Sequence, residues 1–268
     1  MKAEFAHLSF EFKSVWRDKS LLLMNYLFPL VFYLMMAIIM PGIYPAFHQT
    51  MIPGMVVFTI MVSTLLGMPG PIVHFREKGV YRSYKIYGVP LKSVLFIPVF
   101  TTAIHIILVS IFILFSGAVF FKARIPQNFY QFIWVYGIIL FNFTGLGLLV
   151  GVCSPSGKIS ILLAQLIFLP SMMLGGIIMP SGMLPGTILK IAGILQTTYA
   201  MDLLKSLAYG EKAVFGISKP ITALVLGGLL SYILAAWLFA WDMNDGKKVK
   251  NLLGFLVLLP FIICILVP

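Results

Sequence analysis

The sequence is poor in charge and nearly free of cysteine. Only 10% of its 268 residues are charged and 60% are hydrophobic, whereas about a quarter of the residues in a soluble domain are charged. The mean hydropathy is +1.04. These values exclude an ordinary soluble domain. They predict an all-α polytopic membrane protein, because several uninterrupted apolar runs reach the ~20 residues that a spanning helix needs.

The residues that would mark an enzyme or an ion-coupled pump are also missing. No acidic residue falls within an apolar run, although pumps and proton relays place ionisable groups inside the bilayer. The four histidines share no metal-ligand spacing. Cys153 and Cys264 lie in or beside apolar segments, and their spacing fits neither a zinc site nor a disulfide framework. The sequence therefore predicts no catalytic residue, no metal site and two inert packing cysteines.

The turn around Gly157 resembles a nucleotide-binding loop only superficially. A phosphate loop needs a glycine five residues before Gly157, where Val152 stands. It also needs Ser or Thr after Lys158, where Ile159 stands. We expect a tight turn here and no nucleotide site in this chain.

Six apolar runs are long enough to cross a membrane, and they predict a six-span helical bundle. They cover residues 21–40, 51–73, 93–121, 132–153, 159–180 and 221–241. A seventh run, residues 252–267, is only about sixteen residues long, so it could cross, lie in the interface or pack against the bundle.

The charge distribution predicts the orientation of the bundle. The net charge is +11, from 19 basic and 8 acidic residues. In a membrane protein such an excess retains loops in the cytoplasm and contacts anionic lipid headgroups, so we expect no nucleic acid partner. With the N-terminus inside, the inner segments hold 13 of the 19 basic residues. We therefore predict a cytoplasmic N-terminus.

Residues 1–19 have the pattern of an amphipathic helix lying on the inner leaflet. Phe5, Phe12 and Trp16 fall on one stripe at helical spacing, and Arg17 is among the basic residues beside it. A simple membrane anchor and a helix that docks a partner are both consistent with this pattern.

Two segments between the apolar runs are too long for turns. Residues 74–92 carry Arg76, Glu77, Lys78, Gly79 and Arg82, and a solvated basic loop would explain that composition equally well. Residues 181–219 contain a short apolar half, in which breaks at Pro180 and Pro185 flank Leu184, and a short helix with Tyr199 and Asp202. Apolar segments of 10–14 residues favour a re-entrant or interfacial hairpin over a span.

Polar and flexible side chains within the runs are candidates for lining a pathway. These are Asn25, Asn142, Gln165 and Met173, although polar groups in spans usually bond neighbouring helices. The fourth run has a ridge of small residues at Gly145, Gly147 and Gly151. That ridge could pack within the chain or form a dimer seam.

Six motifs occur in an order that resembles the type-2 permease family of ATP-binding-cassette (ABC) transporter membrane subunits. The motifs are Trp16-Arg17-Asp18, Phe28-Pro29-Leu30, Arg76-Glu77-Lys78-Gly79 with Pro90, the Gly145–Leu149 stretch, Leu169 to Pro180 with Met183-Leu184-Pro185, and Thr198 to Lys205. The resemblance runs over nearly the whole chain.

The resemblance implies one permease domain over residues 1–268. Its parts are an interface helix (1–19), spans one to five (21–180), an outer re-entrant hairpin (181–219), span six (220–241) and a C-terminal apolar segment (252–267). It implies that a separate ABC ATPase subunit binds ATP and magnesium, while this chain binds no cofactor. The residues implied to couple to that subunit are Arg76, Glu77, Lys78, Gly79 and Arg82. It further implies a second permease subunit, identical or a sister chain, and residence in a plasma membrane, with a bacterial one favoured.

The function implied by the resemblance is ATP-driven export of an amphipathic drug-like molecule or a peptide. An ATP-independent channel or secondary transporter is a competing hypothesis, but a coupled transporter normally has a polar site at mid-membrane. A membrane scaffold without a transport role is the other alternative. Short outer loops favour small cargo, and the apolar residues do not select one substrate.

Overall fold

The computed structural model describes residues 12–13, 16–178, 185–242 and 250–266. Within these ranges the secondary structure is helical and no strand occurs. In chain order the helices are α1 (Lys19–Ile43), α2 (Phe47–Glu77), α3 (Val80–Ile86), α4 (Leu91–Phe121), α5 (Phe129–Cys153), α6 (Gly157–Leu174), α7 (Gly186–Ala192), α8 (Gln196–Tyr209), α9 (Ser218–Leu238), a 3-10 helix (Lys250–Leu258) and α10 (Leu259–Leu266).

Six of these helices, α1, α2, α4, α5, α6 and α9, are long and apolar enough to span a membrane. The prediction of an all-α polytopic bundle with six long apolar helices is therefore confirmed. One end of the bundle carries α3 and the turn between α5 and α6, and we call it the α3 end. The opposite end carries α7 and α8, the pair that we call the hairpin, and is called the hairpin end.

Two helices form the centre of the bundle. In the most apolar window of α2, 94% of the residues are buried, and in that of α5, 72% are buried. The corresponding shares are only 28% for α1 and 22% for α6. Helices α1 and α6 therefore lie at the periphery and expose apolar faces.

The glycine ridge of α5 packs within the chain. A Cβ atom at Gly147 would lie 2.2 Å from the Thr64 carbonyl oxygen of α2, and one at Gly151 would lie 2.9 Å from Ile72. Gly145 contacts α9, where a Cβ would lie 3.0 Å from the ring of Tyr232. These close approaches need glycine, so the ridge fixes α5 between α2 and α9.

Two of the span boundaries that differ from the prediction bear on the functional site. The fifth span ends at Leu174 rather than at residue 180, because the chain turns at Gly175 and at Gly176, whose φ is 85°. The second span continues beyond Val73 to Glu77. One acidic residue thus ends a long helix, whereas the sequence pattern placed all eight outside the spans.

Candidate functional site

The described residues of the N-terminal segment pack on α1 and α4. The Phe12 ring stacks on His105 with centroids 4.6 Å apart, and Trp16 lies 5.2 Å from the Tyr26 ring. The Tyr26 hydroxyl and His105 Nδ1 form a hydrogen bond that joins α1 to α4. Arg17 is exposed, and Phe5 lies outside the described residues.

Arg76 fastens the end of α2 to the end of α5. Its side chain is only 6% exposed. Nη1 donates to the Val152 carbonyl oxygen at 2.8 Å, and Nη2 donates to the carbonyl oxygen of Ser154. Helix C-termini leave carbonyls without intrahelical donors. Arg76 therefore caps α5 and is not on the exposed surface of residues 74–92, the segment for which a coupling role was predicted.

Glu77 connects the same segment to α6. Its carboxylate Oε1 accepts a hydrogen bond from the Gly157 amide, at 3.1 Å, in the first turn of that helix. A carboxylate near a helix N-terminus is also favoured by the helix dipole. Lys78 is exposed. Gly79 has a φ of 70°, a conformation that glycine adopts without strain, and it starts α3.

Helix α3 has one buried face and one exposed face. Tyr81 is buried, and its ring lies 6.0 Å from Phe75 of α2 and 5.2 Å from Phe239, which follows α9. Arg82 forms an exposed ion pair with Asp242, with an N–O distance of 3.8 Å.

The exposed face of α3 is mixed apolar and basic. Ile86 and Tyr87 are 75% and 84% exposed, and they stand beside the exposed Lys85. An exposed apolar pair flanked by charge on a segment tied to α2, α5, α6 and α9 is a candidate docking surface.

The hairpin enters the bundle. Eleven of its residues from Gln196 to Ala208 are buried, although α8 is too short to be a candidate span. The Thr197 hydroxyl lies 3.6 Å from the sulfur of Met61, near the middle of α2. Gly175 also packs on Thr197, where a Cβ would lie 2.7 Å away. Helix α8 therefore starts deep between α2 and the end of α6.

Asp202 ties α8 to the loop that precedes α9. Its carboxylate oxygens accept hydrogen bonds from the amides of Val214, at 2.8 Å, and Phe215, at 3.0 Å. Burial raises the pKa of the Asp202 carboxyl, and the two amide hydrogen bonds oppose that rise. Burial likewise lowers the pKa of the nearby Lys205.

The C-terminal end of α8 is capped by a residue that was not predicted from the sequence. Arg124 Nη2 donates to the Tyr209 carbonyl oxygen at 2.7 Å, and the Gln127 amide donates to the Ala208 carbonyl oxygen at 2.8 Å. Arg124 is the one arginine in the sequence outside the segments that were predicted to face the cytoplasm. An arginine set apart from the other three was the signal in the sequence, because the guanidinium group of arginine can donate to several acceptors at once.

The other hairpin residues predicted from the sequence are Pro180, Leu184, Pro185 and Tyr199. Pro185 precedes the first residue of α7. The Tyr199 ring packs between Phe215, at 5.2 Å, and Phe261, at 5.7 Å. Pro180 and Leu184 lie outside the described residues.

The four pathway candidates do not come together in one site. Asn142 is fully buried, and its Nδ2 donates to the Leu224 carbonyl oxygen of α9 at 2.7 Å. Asn25 is 2% exposed and lies beside Gly67 of α2. Gln165 is partly exposed and Met173 is 66% exposed, both on α6. Only the α6 pair faces outward from the bundle.

The family model described as ABC-2 type transporter matches residues 4–209, which contain α1 to α8. No curated protein matches the chain.

Proposed function

Because the chain belongs to the ABC-2 type transporter family, and so is a membrane transport permease, we propose that it is the membrane subunit of an ATP-driven exporter. A separate ABC ATPase subunit binds ATP and magnesium and docks at the α3 end. That end faces the cytoplasm of a bacterial cell, as the concentration of basic residues there favours.

The observation that carries this proposal is the two-sided character of α3. Ile86, at its end, and Tyr87, which follows it, offer an exposed apolar contact next to the exposed Lys85. Its inner face is fastened to the spans through Tyr81, and the two residues that end α2, Arg76 and Glu77, hold α5 and α6. A partner that moves α3 would therefore move three spans together.

We propose that α2 carries this movement to the hairpin. The same helix that ends at Arg76 contacts Thr197 at the start of α8, and a Cβ at its Gly54 would lie 3.1 Å from the Ile177 carbonyl oxygen. A shift of α2 would thus change the contacts that hold the hairpin in the bundle. The hairpin acts as the outer gate in this scheme.

A second permease subunit, a second copy or a sister chain, would face the peripheral helices α1 and α6. Both helices leave most of their apolar surface unburied, and the exposed face of α6 includes Gln165 and Met173. An apolar path with a few amide groups suits an amphipathic small molecule or a peptide.

The test is co-purification of the ATPase with variants of the α3 surface. In Ile86→Glu a carboxylate replaces an apolar group that is 75% exposed, so folding should be unaffected while docking is lost. We expect at least about a tenfold loss of the co-purified ATPase, equivalent to ~1.4 kcal/mol or more of binding free energy. Mass spectrometry of the complex from native membranes identifies and quantifies the partner.

Ile125→Glu is the matched control. Ile125 is 55% exposed and lies in the loop after α4, at the hairpin end, so this variant should retain the partner. Equal retention by the two variants would contradict docking at α3. Purification of the wild-type chain without any ATPase, from membranes in which other ABC complexes stay intact, would favour the ATP-independent channel or the scaffold.

A further inference from the structure

The segment that follows α9 runs the length of that helix. At one end a Cβ atom at Gly254 would lie 2.8 Å from the Cys153 sulfur, at the last residue of α5 and thus at the α3 end. At the other end the Cys264 sulfur lies 4.0 Å from the Lys219 carbonyl oxygen, in the first turn of α9. Between them Phe261 contacts Gly227, near the middle of α9, where a Cβ would lie 2.7 Å from its ring.

The length of this segment matches the bilayer because of its helix type. Nine residues form the 3-10 helix and eight form α10. At ~2.0 Å per residue for a 3-10 helix and ~1.5 Å for an α-helix, they extend over about 30 Å, the thickness of the hydrocarbon core. The same number of residues in α-helical form would be about 5 Å shorter.

The segment is also buried where a crossing helix would have to be. Phe261 is fully buried and Val257 is 4% exposed, so its middle packs into the bundle. Leu256, Leu259 and Ile263 are exposed apolar residues, as expected of a face that contacts lipid. A segment lying flat on the membrane surface could not contact both the last residue of α5, at the α3 end, and the first turn of α9, at the hairpin end.

We propose that residues 250–266 form a seventh membrane crossing, antiparallel to α9, which braces the hairpin from the lipid side. The brace contacts are Phe261 with Tyr199 and Ile265 with Gly193, where a Cβ would lie 3.1 Å from the isoleucine side chain. Lys250, the first described residue of the segment, then lies at the α3 end, whereas Leu266 reaches the hairpin end. The matched family region ends at residue 209, so this crossing, like α9, lies outside it.

A disulfide tests the contact between Gly254 and Cys153 at the α3 end. A Cβ at Gly254 would lie 3.7 Å from the Cys153 Cβ, within the 3.5–4.5 Å range of disulfides. We would make Gly254→Cys in a Cys264→Ser background, with a protease site inserted between Asn244 and Asp245. After mild oxidation and cleavage, the two fragments should stay linked until reduced. Phe255→Cys is the control, because Phe255 is 52% exposed, and it should link several-fold less.

Reporter fusions test the crossing itself. Alkaline phosphatase, which is active only outside the cytoplasm, is fused after Asp242 in one chain and after Pro268 in another. Green fluorescent protein, which fluoresces inside, is fused at the same two positions. The two sites should report opposite sides of the membrane. Equal sidedness of the two fusions, or equal linking of the two cysteine variants in folded protein, would overturn the seventh crossing. Neither result depends on an ATPase partner, so the proposed function is judged separately.

Discussion

Replacement of Arg76 by methionine tests whether this side chain holds the α3 end together. Methionine keeps much of the length of the side chain but donates no hydrogen bond, so the carbonyl oxygens of Val152 and Ser154 lose their donor. A hydrogen bond to a charged group contributes about 1.5–3 kcal/mol, so the two bonds together contribute about 3–6 kcal/mol. The guanidinium is no longer desolvated in the variant, which offsets part of the loss.

We expect a net loss of about 2–4 kcal/mol in the free energy of unfolding for Arg76→Met. At ~2–4 °C per kcal/mol, the unfolding midpoint should fall by roughly 4–16 °C. Arg76→Lys should lie between the variant and the wild type, because an ammonium keeps the charge but not the planar fork that reaches two acceptors. The measurement is thermal unfolding of purified protein in mild detergent.

Arg82→Met, in α3, is the matched control at the same end of the bundle. Its ion pair with Asp242 spans 3.8 Å between side chains that are 71% and 39% exposed. Exposed pairs contribute about 0–1 kcal/mol, so the midpoint should change by less than about 4 °C. If Arg76→Met and Arg82→Met lowered the midpoint equally, the two carbonyl bonds would not be what stabilises this end of the bundle.

Two further predictions concern helix packing and the hairpin. Gly147→Ala should destabilise the protein by about 1–3 kcal/mol, because its Cβ would lie 2.2 Å from the Thr64 carbonyl oxygen. The control is Gly137→Ala on the same helix, where the added Cβ meets nothing within 4 Å. In the same unfolding assay this control should be neutral or stabilising by up to ~1 kcal/mol. The pKa of Asp202 is raised in the folded protein, so the stability of the wild type should fall as the pH rises through that pKa. Asp202→Asn should lose this part of the pH dependence. If the profile of unfolding midpoint against pH were the same in the variant and the wild type, the prediction would be contradicted.

The number and order of the spans could be predicted because the bilayer imposes them. A helix that crosses hydrocarbon must be apolar over about 20 residues, so α4 and α5 are visible as uninterrupted runs. The end of α2 was less predictable. A hydropathy pattern treats Arg76 and Glu77 as loop residues, but the helix continues through both because α5 and α6 supply their partners. Those partners are distant in sequence, so no local pattern marks them.

That the hairpin is a short segment that enters the bundle could be predicted, but its contacts with the rest of the protein could not. Its short apolar length and its prolines indicated a segment that enters without crossing, and α8 does begin beside Met61. The Arg124 contact with Tyr209 could not be predicted, because it joins a loop to the last residue of α8, 85 positions away in the sequence. The C-terminal segment shows the same limit. About sixteen apolar residues are too few for an α-helical span, and no local pattern marked the 3-10 geometry that lengthens residues 250–258.

The polar groups within the spans bear on what the protein transports. Asn142 bonds α9, and the hydroxyl of Tyr136 donates to Ser110 of α4 at 3.1 Å. Thr144 and Tyr232 join α5 to α9 at 2.8 Å. These hydrogen bonds join helices within one chain and do not involve α6. On the path proposed along α6, a cargo would meet mainly leucine, isoleucine and methionine, with Gln165 as a polar contact. Recognition on such a surface depends on apolar area and shape more than on directed hydrogen bonds, which favours a range of amphipathic molecules over a single polar substrate.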